Sequence, residues 1–427
     1  MPARLARLAR LARLARPARL VLAFASLALA LPAAAQQVVR MAYVDPLSGA
    51  FANTGEHGLK HFQFVVEEAN RKRLAGPFRL EIAGFDNRVS PQESLNQLKK
   101  IIDSGIRYVI QGQSSAVALA LADAIEKHNE RNPGKEILYL NYAAVDPDLT
   151  NSKCSYWHFR FDANSDMKME ALTSHLAPNK DIKRVYLINQ NYSFGQAVAR
   201  AAKADLARKR PDIQIVGEDL HALGQVKDFA PYVAKIKAAG ADTVITGNWG
   251  NDMTLLIKAA RDAGLNVTFY TYYAGAIGAI TAIGDAGVGR VKQITEWHAN
   301  VPAKETDRVA AEFKKKYNQD WYFFRAQTAI GMVAEAMKRA QSDDPKAVAK
   351  ALEGMRFQTE LGEVEMRASD HQLIQPLFVS TIERTAAKGG PKDVKHDVEG
   401  SGMGFRTDAK IEGYVSAQPT SCQMKRP

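Results

Sequence analysis

Residues 108–125, "YVIQGQSSAVALALADAI", connect a strand pattern to a helix pattern through a short loop. The apolar run at the start ends at Gly112, and an alanine- and leucine-rich segment follows Ser114 and Ser115. A helix that begins at such a loop presents unpaired backbone N–H groups and the positive end of its dipole, which suit an anion. The stretch therefore predicts a strand–helix unit of an α/β fold with a site for a phosphate, a substrate carboxylate or the oxyanion of a serine nucleophile.

The same alternation continues on both sides of this stretch. Strand patterns such as "VVRMAYVD" (38–45) and "EILYLN" (136–141) are separated by helix patterns, and the series restarts with "KRVYLINQ" (183–190). Strands separated by helices imply parallel sheets with covered faces. We therefore predict two doubly wound, Rossmann-like lobes, with chain crossovers near residues 154–167 and 293–304.

The first 35 residues have the pattern of a secretory signal peptide. Six arginines without an acid precede a short apolar run that ends in Ala33, Ala34 and Ala35. This run is shorter than the roughly 20 residues of a membrane-spanning helix, and residue 36 is Gln rather than the Cys of a lipoprotein. We expect cleavage near Ala35 and a soluble, periplasmic mature protein.

The charge distribution and the two cysteines limit which binding partners and covalent links the chain can have. The formal net charge of +11 falls to +5 when the six arginines of the leader are removed, and the remaining basic residues are interleaved with acids. This mixture of charges argues against a continuous basic surface that would bind nucleic acid. Cys154 and Cys422 are the two cysteines, and in an oxidising compartment they favour a disulfide over free thiols or a metal site.

Enzyme motifs are absent from the sequence. "GQSSAV" lacks the second glycine of a nucleophile elbow at Ser114, and no phosphate-binding P-loop motif occurs. His57 and His61 share one helix face without a glutamate base between them, so we interpret them as part of a surface helix. We expect no catalytic residue, no cofactor and no metal.

Six loops at the carboxyl ends of predicted strands are rich in aromatic and hydroxyl side chains. Open α/β sheets bind ligands at this edge. The six loops are "DPLSGAFANTG", "QGQSSA", "NYAAVD", "NQNYSFG", "GNWGND" and "YTYYAG". A single aromatic such as Trp249 is more typical of a core, but six such loops, three from each predicted lobe, indicate a binding site.

These loops, in this order, resemble those of type I periplasmic solute-binding proteins, particularly the branched-chain amino acid receptors of ATP-binding-cassette importers. "DPLSGAFANTG" resembles the "GPLTG…G" loop of that family, and "GNWGNDMTLLIKAARDAGL" resembles its "GGY…Q-R-AGL" segment. The resemblance covers nearly the whole mature chain and implies two lobes joined by three crossovers, which close on a ligand by hinge bending. It implies a monomer that delivers a small molecule to an inner-membrane permease, with lobe 1 at residues 36–158 plus about 300–355 and lobe 2 at residues 159–299 plus about 356–427.

The resemblance also implies how a ligand carboxylate is held. The backbone N–H of Ser115, the two serine hydroxyls and the loop 143–145 would grip it at the helix start, between aromatic walls. The residues expected at the ligand are Ser48, Phe51, Ser114, Ser115, Ala143, Ala144, Val145, Tyr192, Trp249, Tyr272 and Tyr273.

The sequence departs from amino acid receptors at one position. Those receptors place an acid in the loop that matches "YTYYAG" to pair with the ligand ammonium, whereas here the loop carries Tyr270, Tyr272 and Tyr273. A buried, unpaired ammonium is costly, and Asp252 is the remaining candidate for the missing acid. An aromatic or hydrophobic acid and an amino acid both stay open as ligands, and the alternatives to transport are a periplasmic sensor module and a secreted α/β enzyme.

Overall fold

The computed structural model describes residues 36–427, so the expected signal peptide and its cleavage site lie outside the described residues. The chain first builds a five-stranded sheet, with a helix after each of the first three strands and short, buried strands β3 to β5. The elements are β1 (Gln37–Asp45), α1 (Ala52–Arg71), β2 (Phe78–Asp86), α2 (Pro91–Asp103), β3 (Tyr108–Gln111), α3 (Ser115–Arg131), β4 (Leu138–Asn141) and β5 (His158–Arg160). The strand order is β2-β1-β3-β4-β5.

A second α/β series follows. Its elements are α4 (Ser165–Leu176), β6 (Arg184–Gln190), α5 (Ser193–Lys209), β7 (Gln214–His221), α6 (Ala230–Ala238), β8 (Thr243–Thr246), α7 (Asn251–Asp262), β9 (Thr268–Thr271), α8 (Ala279–Ile283) and β10 (Val291–Thr295). Strands β6 to β10 pair in parallel, as the alternation predicts. The α/β fold class with two parallel-sheet lobes is thereby confirmed.

The rest of the chain adds helices, a separate three-stranded sheet and two further strands of the second sheet. It forms α9 (Lys304–Tyr317), α10 (Phe324–Ala340), α11 (Pro345–Leu352), β11 (Arg356–Thr359), β12 (Gly362–Met366), β13 (Leu373–Ile374), β14 (Leu377–Arg384), β15 (Met403–Ile411) and α12 (Gly413–Ser416). Strands β14 and β15 extend the second sheet in antiparallel fashion, giving the order β15-β14-β10-β9-β8-β6-β7. We call each sheet with the helices packed on it the first and the second lobe.

The hydrophobic clusters bear on the expected lobe boundaries. Phe313, Ile330 and Met337 pack in the core of the first lobe, in keeping with the expected segment 300–355. Val364 and Met366 belong to the same core, although we expected residues from about 356 onward to accompany the second lobe. We therefore propose a boundary between β13 and β14; the division of the chain into lobes stays a prediction.

The interpretation of His57 and His61 as surface residues is wrong. Their exposed fractions are 1% and 0%, because α9 and the segment before α10 cover this face of α1. The ring of His61 lies 4.4 Å from that of Phe313 and 4.3 Å from that of Trp321. The covering aromatic side chains are more than 250 residues away in sequence, so the local pattern of α1 carries no sign of them.

The predicted disulfide is confirmed. Cys154 and Cys422 are bonded with a Cα–Cα distance of 5.7 Å. Beside it, the hydroxyl of Thr420 donates to the carbonyl of Thr150 at 2.7 Å. The C-terminal tail is therefore fixed to the first lobe, although β15 just before it belongs to the second sheet. Within residues 36–427 no helix is long and apolar enough to cross a membrane.

We predict that the double variant Cys154→Ser/Cys422→Ser unfolds more easily than the oxidised protein, by about 2–5 kcal/mol, because the bond closes a long loop in the unfolded chain. Urea unfolding with and without a reductant measures this. Reductant should lower the midpoint of the wild type and leave that of the variant unchanged. Equal midpoints for the oxidised wild type and the variant would show that the disulfide has no effect on stability.

Candidate functional site

A cavity of about 50 Å³ lies between the lobes at the carboxyl ends of β3, β4, β6, β8 and β9. We call it the binding cavity. The predicted residues on its wall are Ser114, Ser115, Ala143, Ala144, Val145, Tyr192, Trp249 and Tyr273. The structure thus brings loops from both lobes together at one place; that these residues contact a ligand stays a prediction.

The start of α3 supplies hydrogen-bond donors on the first-lobe side. Ser114 precedes the helix with φ +76° and ψ +115°, and no side chain caps the first turn. The N–H groups of that turn have no partner inside the helix. By contrast, Ser90 caps α2 by accepting from the N–H of Glu93. The α3 terminus therefore keeps its donors and its positive dipole end for a group in the cavity.

Asp45 shapes the loop that leads to α3. This carboxylate is fully buried and accepts from the backbone N–H of Gln113 at 2.8 Å and from the hydroxyl of Tyr142 at 2.7 Å. Burial raises the pKa of Asp45 to about 6, although these hydrogen bonds act in the opposite direction. Sequence reasoning missed Asp45, because an acid at the end of a strand has no distinctive local signal.

The neighbouring loop 143–145 is held by Asn141. Its Oδ1 accepts from the N–H groups of Ala143 at 3.2 Å and Ala144 at 2.8 Å, so these two donors are occupied. We expected this loop to grip a carboxylate together with the serines. Because these N–H groups are occupied, the N–H groups at the start of α3 are the main donors left for a carboxylate. The Ser115 hydroxyl also contacts this segment, since it accepts from the N–H of Asp146 at 3.2 Å.

Aromatic side chains form the second-lobe wall. The indole N–H of Trp249 donates to the Tyr192 hydroxyl at 2.8 Å, which fixes both rings. Burial raises the pKa of Tyr192, so it stays neutral and its hydroxyl hydrogen can still be donated. Helices α5 and α7, which begin beside these residues, also lack a side-chain cap.

The wall of the binding cavity does not include three predicted ligand residues, Ser48, Phe51 and Tyr272. Ser48 is exposed and donates to Asp86 at 2.5 Å, outside the wall of the binding cavity. Tyr272 is buried with its hydroxyl donating to the carbonyl of Ser165 at 2.7 Å, and it lines an adjacent cavity instead.

Phe51 crosses from the first lobe to the second. Its ring centroid lies 4.4 Å from that of Trp249, and it belongs to the hydrophobic cluster of the second lobe. Gly224 and Gly250 make room for it: a Cβ on either would come within 2.7 Å of the Phe51 ring. Nearby, the Asn251 amide donates to the carbonyl of Ala50 at 3.1 Å. These contacts between lobes hold the cleft in a closed arrangement.

Charge on the cavity wall is limited. Among the described residues that line it, Arg325 is the one with a formal charge, and no carboxylate is present. Asp252, the candidate for the missing acid, is off the wall; it accepts from the Gln190 amide and from the N–H of Gly224, both at 2.8 Å. In this conformation Asp252 does not supply a partner for a ligand ammonium.

Arg325 belongs to a buried group of four charges, which we call the hinge cluster. Its guanidinium donates to Glu296 at 2.8 Å and lies 3.3 Å from Asp162, and Lys168 donates to Asp162 at 3.0 Å. All four side chains are 6% exposed or less. Burial alone disfavours the Arg325 cation, but attraction to Asp162 and Glu296 raises its pKa, so it remains charged.

His57 is a wall residue that sequence reasoning missed. Its Nε2 donates to the carbonyl of Asp320 at 2.9 Å, and its Nδ1 has no partner among the described residues. Tyr322, Phe323 and Arg325 also line the cavity. The aromatic run "WYFF" at 321–324 was the available signal for this segment. No group of three or more His, Cys, Asp or Glu side chains in residues 36–427 is arranged to hold a metal ion.

We predict that Phe51→Ala shifts the ligand-free protein toward an open cleft. The change removes apolar burial of about 1.5–3 kcal/mol that exists only when the lobes meet. Small-angle X-ray scattering should show a larger radius of gyration. Leu74→Ala, at a surface residue that is 41% exposed, is the matched control and should leave it unchanged. An unchanged radius for Phe51→Ala would refute the closing role.

We also predict a pH effect from His57. Burial lowers its pKa to about 4, against 6.5 for an unperturbed histidine. Protonation therefore favours the unfolded chain, and stability is lost as pH falls from about 6.5 toward 4, by on the order of 2 kcal/mol at pH 5. The stability difference between wild type and His57→Gln should shrink by about that amount from pH 7.5 to 5. His396→Gln, at an exposed histidine, should show no such change.

The sequence of this chain is similar to those of known solute-binding proteins. A family model described as "Periplasmic binding protein" matches residues 38–390. The Leu/Ile/Val-binding protein homolog 4 of Brucella abortus (strain 2308) is 34% identical over an alignment of 418 residues, and the match covers 95% of this chain and 97% of the relative.

Solved structures agree with this match. The leucine-, isoleucine-, valine-, threonine-, and alanine-binding protein from Brucella ovis, in its closed conformation, aligns with a TM-score of 0.80 and 32% identity over 92% of this chain and 100% of that chain. A solute-binding protein of an ABC transporter from Rhodopseudomonas palustris BisB5, in complex with 3,4-dihydroxy benzoic acid, aligns with a TM-score of 0.76 over 88% of this chain and 98% of that chain. Its identity is 18%, so this likeness concerns the fold alone.

Proposed function

The chain belongs to the periplasmic binding protein family, and from that premise we propose that it binds a small solute through a carboxylate and delivers it to the inner-membrane permease of an ATP-binding-cassette importer. The family consists of solute-binding proteins, which are not enzymes. The lobes would close over the ligand and present it to the permease in the closed state.

The observation that carries the proposal is the pairing of an uncapped helix start with a wall that has no acid. The first turn of α3 and the hydroxyls of Ser114 and Ser115 offer donors to an anion. No lining carboxylate among the described residues is available for a ligand cation. A solute with one carboxylate and no ammonium fits both facts.

The aromatic wall supports an apolar or aromatic body for this solute. Trp249 and Tyr192 present large faces at the second-lobe side, and pockets of this kind bind flat, apolar groups with a few polar contacts. The Rhodopseudomonas palustris structure holds an aromatic acid in the same fold. Because the cavity wall has no carboxylate for an ammonium group, we rank aromatic and hydrophobic acids first. We rank hydrophobic amino acids second, because the Brucella relatives carry names of branched-chain amino acid receptors.

A thermal-shift screen of the exported protein against benzoate-type acids and hydrophobic amino acids tests the proposal, because a ligand stabilises the folded state by mass action. We expect shifts with the acids. If neither the acids nor the amino acids raised the melting temperature, a carboxylate-binding role would be contradicted.

We predict that Trp249→Ala weakens binding of the screened ligand by about 2 kcal/mol or more, and Ser115→Ala by about 1 kcal/mol, since the backbone donors remain. Ser48→Ala is the matched control, because Ser48 lies outside the cavity, and its Kd should match the wild type. Isothermal titration calorimetry on the folded fraction gives the values. If Trp249→Ala destabilises the ligand-free protein without changing Kd, Trp249 is a core residue and this wall is assigned wrongly.

A further inference from the structure

A second cavity of about 370 Å³ lies beside the binding cavity. Its wall comes from the loop after β9, the segment after β10, one face of α9 and the residues before α10. It is far larger than the binding cavity, whose 50 Å³ leaves little room beyond a carboxylate and a few carbon atoms.

One layer of side chains separates the two cavities. The residues that line both are Tyr273, Ala276, Tyr322, Phe323 and Arg325. Two of them are held in place: the Tyr322 hydroxyl donates to Glu399 at 2.7 Å, and Arg325 is fixed in the hinge cluster. Within residues 36–427 the Tyr273 hydroxyl makes no hydrogen bond, although Lys168 Nζ lies 5.1 Å from the centroid of its ring. Ala276 is small. A ligand that spans both cavities would therefore pass between them at Tyr273 and Ala276.

The second cavity suits an uncharged aromatic group. Aromatic side chains provide much of its wall, including Tyr272, Trp297, Trp321 and Phe405. The inner cations Lys168 and Arg325 are already paired with buried acids. At another part of the wall, Lys314 is paired with Asp320 at 2.8 Å. Asp307 and Lys395 also line this cavity, but both are exposed to solvent, and Asp397 accepts from the backbone N–H of Gly402 at 3.1 Å. Among the described residues, the buried charges of the wall are therefore already paired.

We propose that the ligand is an elongated carboxylate with an aryl tail. Its carboxylate sits at the start of α3, and its chain passes Tyr273 and Ala276 so that the aryl group occupies the second cavity. This inference rests on the proposed function, because it takes the carboxylate site as its starting point. It adds that ligand length, and not only the presence of a carboxylate, determines affinity.

Calorimetry with benzoate, phenylacetate, 3-phenylpropionate, 4-phenylbutyrate and leucine tests this on the exported, disulfide-bonded protein. Each added methylene that moves the ring into the second cavity should lower Kd by about fourfold. If benzoate binds and Kd stays flat or rises along the series, or if leucine binds most tightly, the inference is overturned while the carboxylate site stands. If none of the five binds, the proposed function falls with it.

Variants locate the effect. Ala310→Leu fills part of the second cavity, which Ala310 lines without lining the binding cavity, and should raise the Kd of 4-phenylbutyrate by about tenfold, while that of benzoate changes much less. Ala234→Leu, at an exposed position of α6, is the matched control. If Ala310→Leu fails to fold, Ala311→Leu replaces it, because Ala311 also lines the second cavity and not the binding cavity. An equal effect of either cavity variant on benzoate and 4-phenylbutyrate would refute the proposed pose.

Discussion

The buried hinge cluster is the constraint on which the rest of the molecule depends. Asp162 and Glu296 lie just after β5 and β10, where the chain leaves one sheet for the other, while Lys168 and Arg325 lie on α4 and α10. Two positive and two negative side chains are thus removed from water at the crossing points. Removing one partner of such a set leaves a buried unpaired charge, at a typical cost of about 3–5 kcal/mol. The lobes therefore stay joined at this point whatever happens at the opposite side of the cleft.

The opposite side of the cleft is held by different chemistry. Phe51 and Val89 reach the hydrophobic cluster of the second lobe by apolar contact, which is non-directional and moderate in size. Val89 does so with φ +59°, a conformation that a β-branched residue adopts only under constraint. Polar contacts at the hinge thus fix the geometry, and apolar contacts at the mouth can form and break. A ligand that adds differential contacts to the closed state is enough to shift such an equilibrium.

Local patterns were sufficient to predict the α/β alternation, the two parallel sheets and the disulfide. They also placed Ser114, Trp249 and Tyr273 on the cavity wall, because the carboxyl ends of parallel strands meet at one edge. They failed where contacts join distant residues. Arg325 and His57 lie on the cavity wall because they pack against residues far away in sequence. The antiparallel strands β14 and β15 were not predicted, because the sequence before them lacks a regular alternation of strand and helix patterns. Ser48 was misplaced because a loop in sequence does not reveal which of its residues turns inward.

The Cys154–Cys422 bond has a consequence for how the folded chain withstands proteolysis. All of the second lobe, from α4 through β10 and again in β14 and β15, lies between the two cysteines along the chain. A protease that cuts any single loop in this interval leaves both pieces attached to one molecule. The cut chain keeps its two halves at high effective concentration, so the cleft can reassemble without a second encounter. A single cut in a loop of the second lobe therefore leaves that lobe covalently attached to the first.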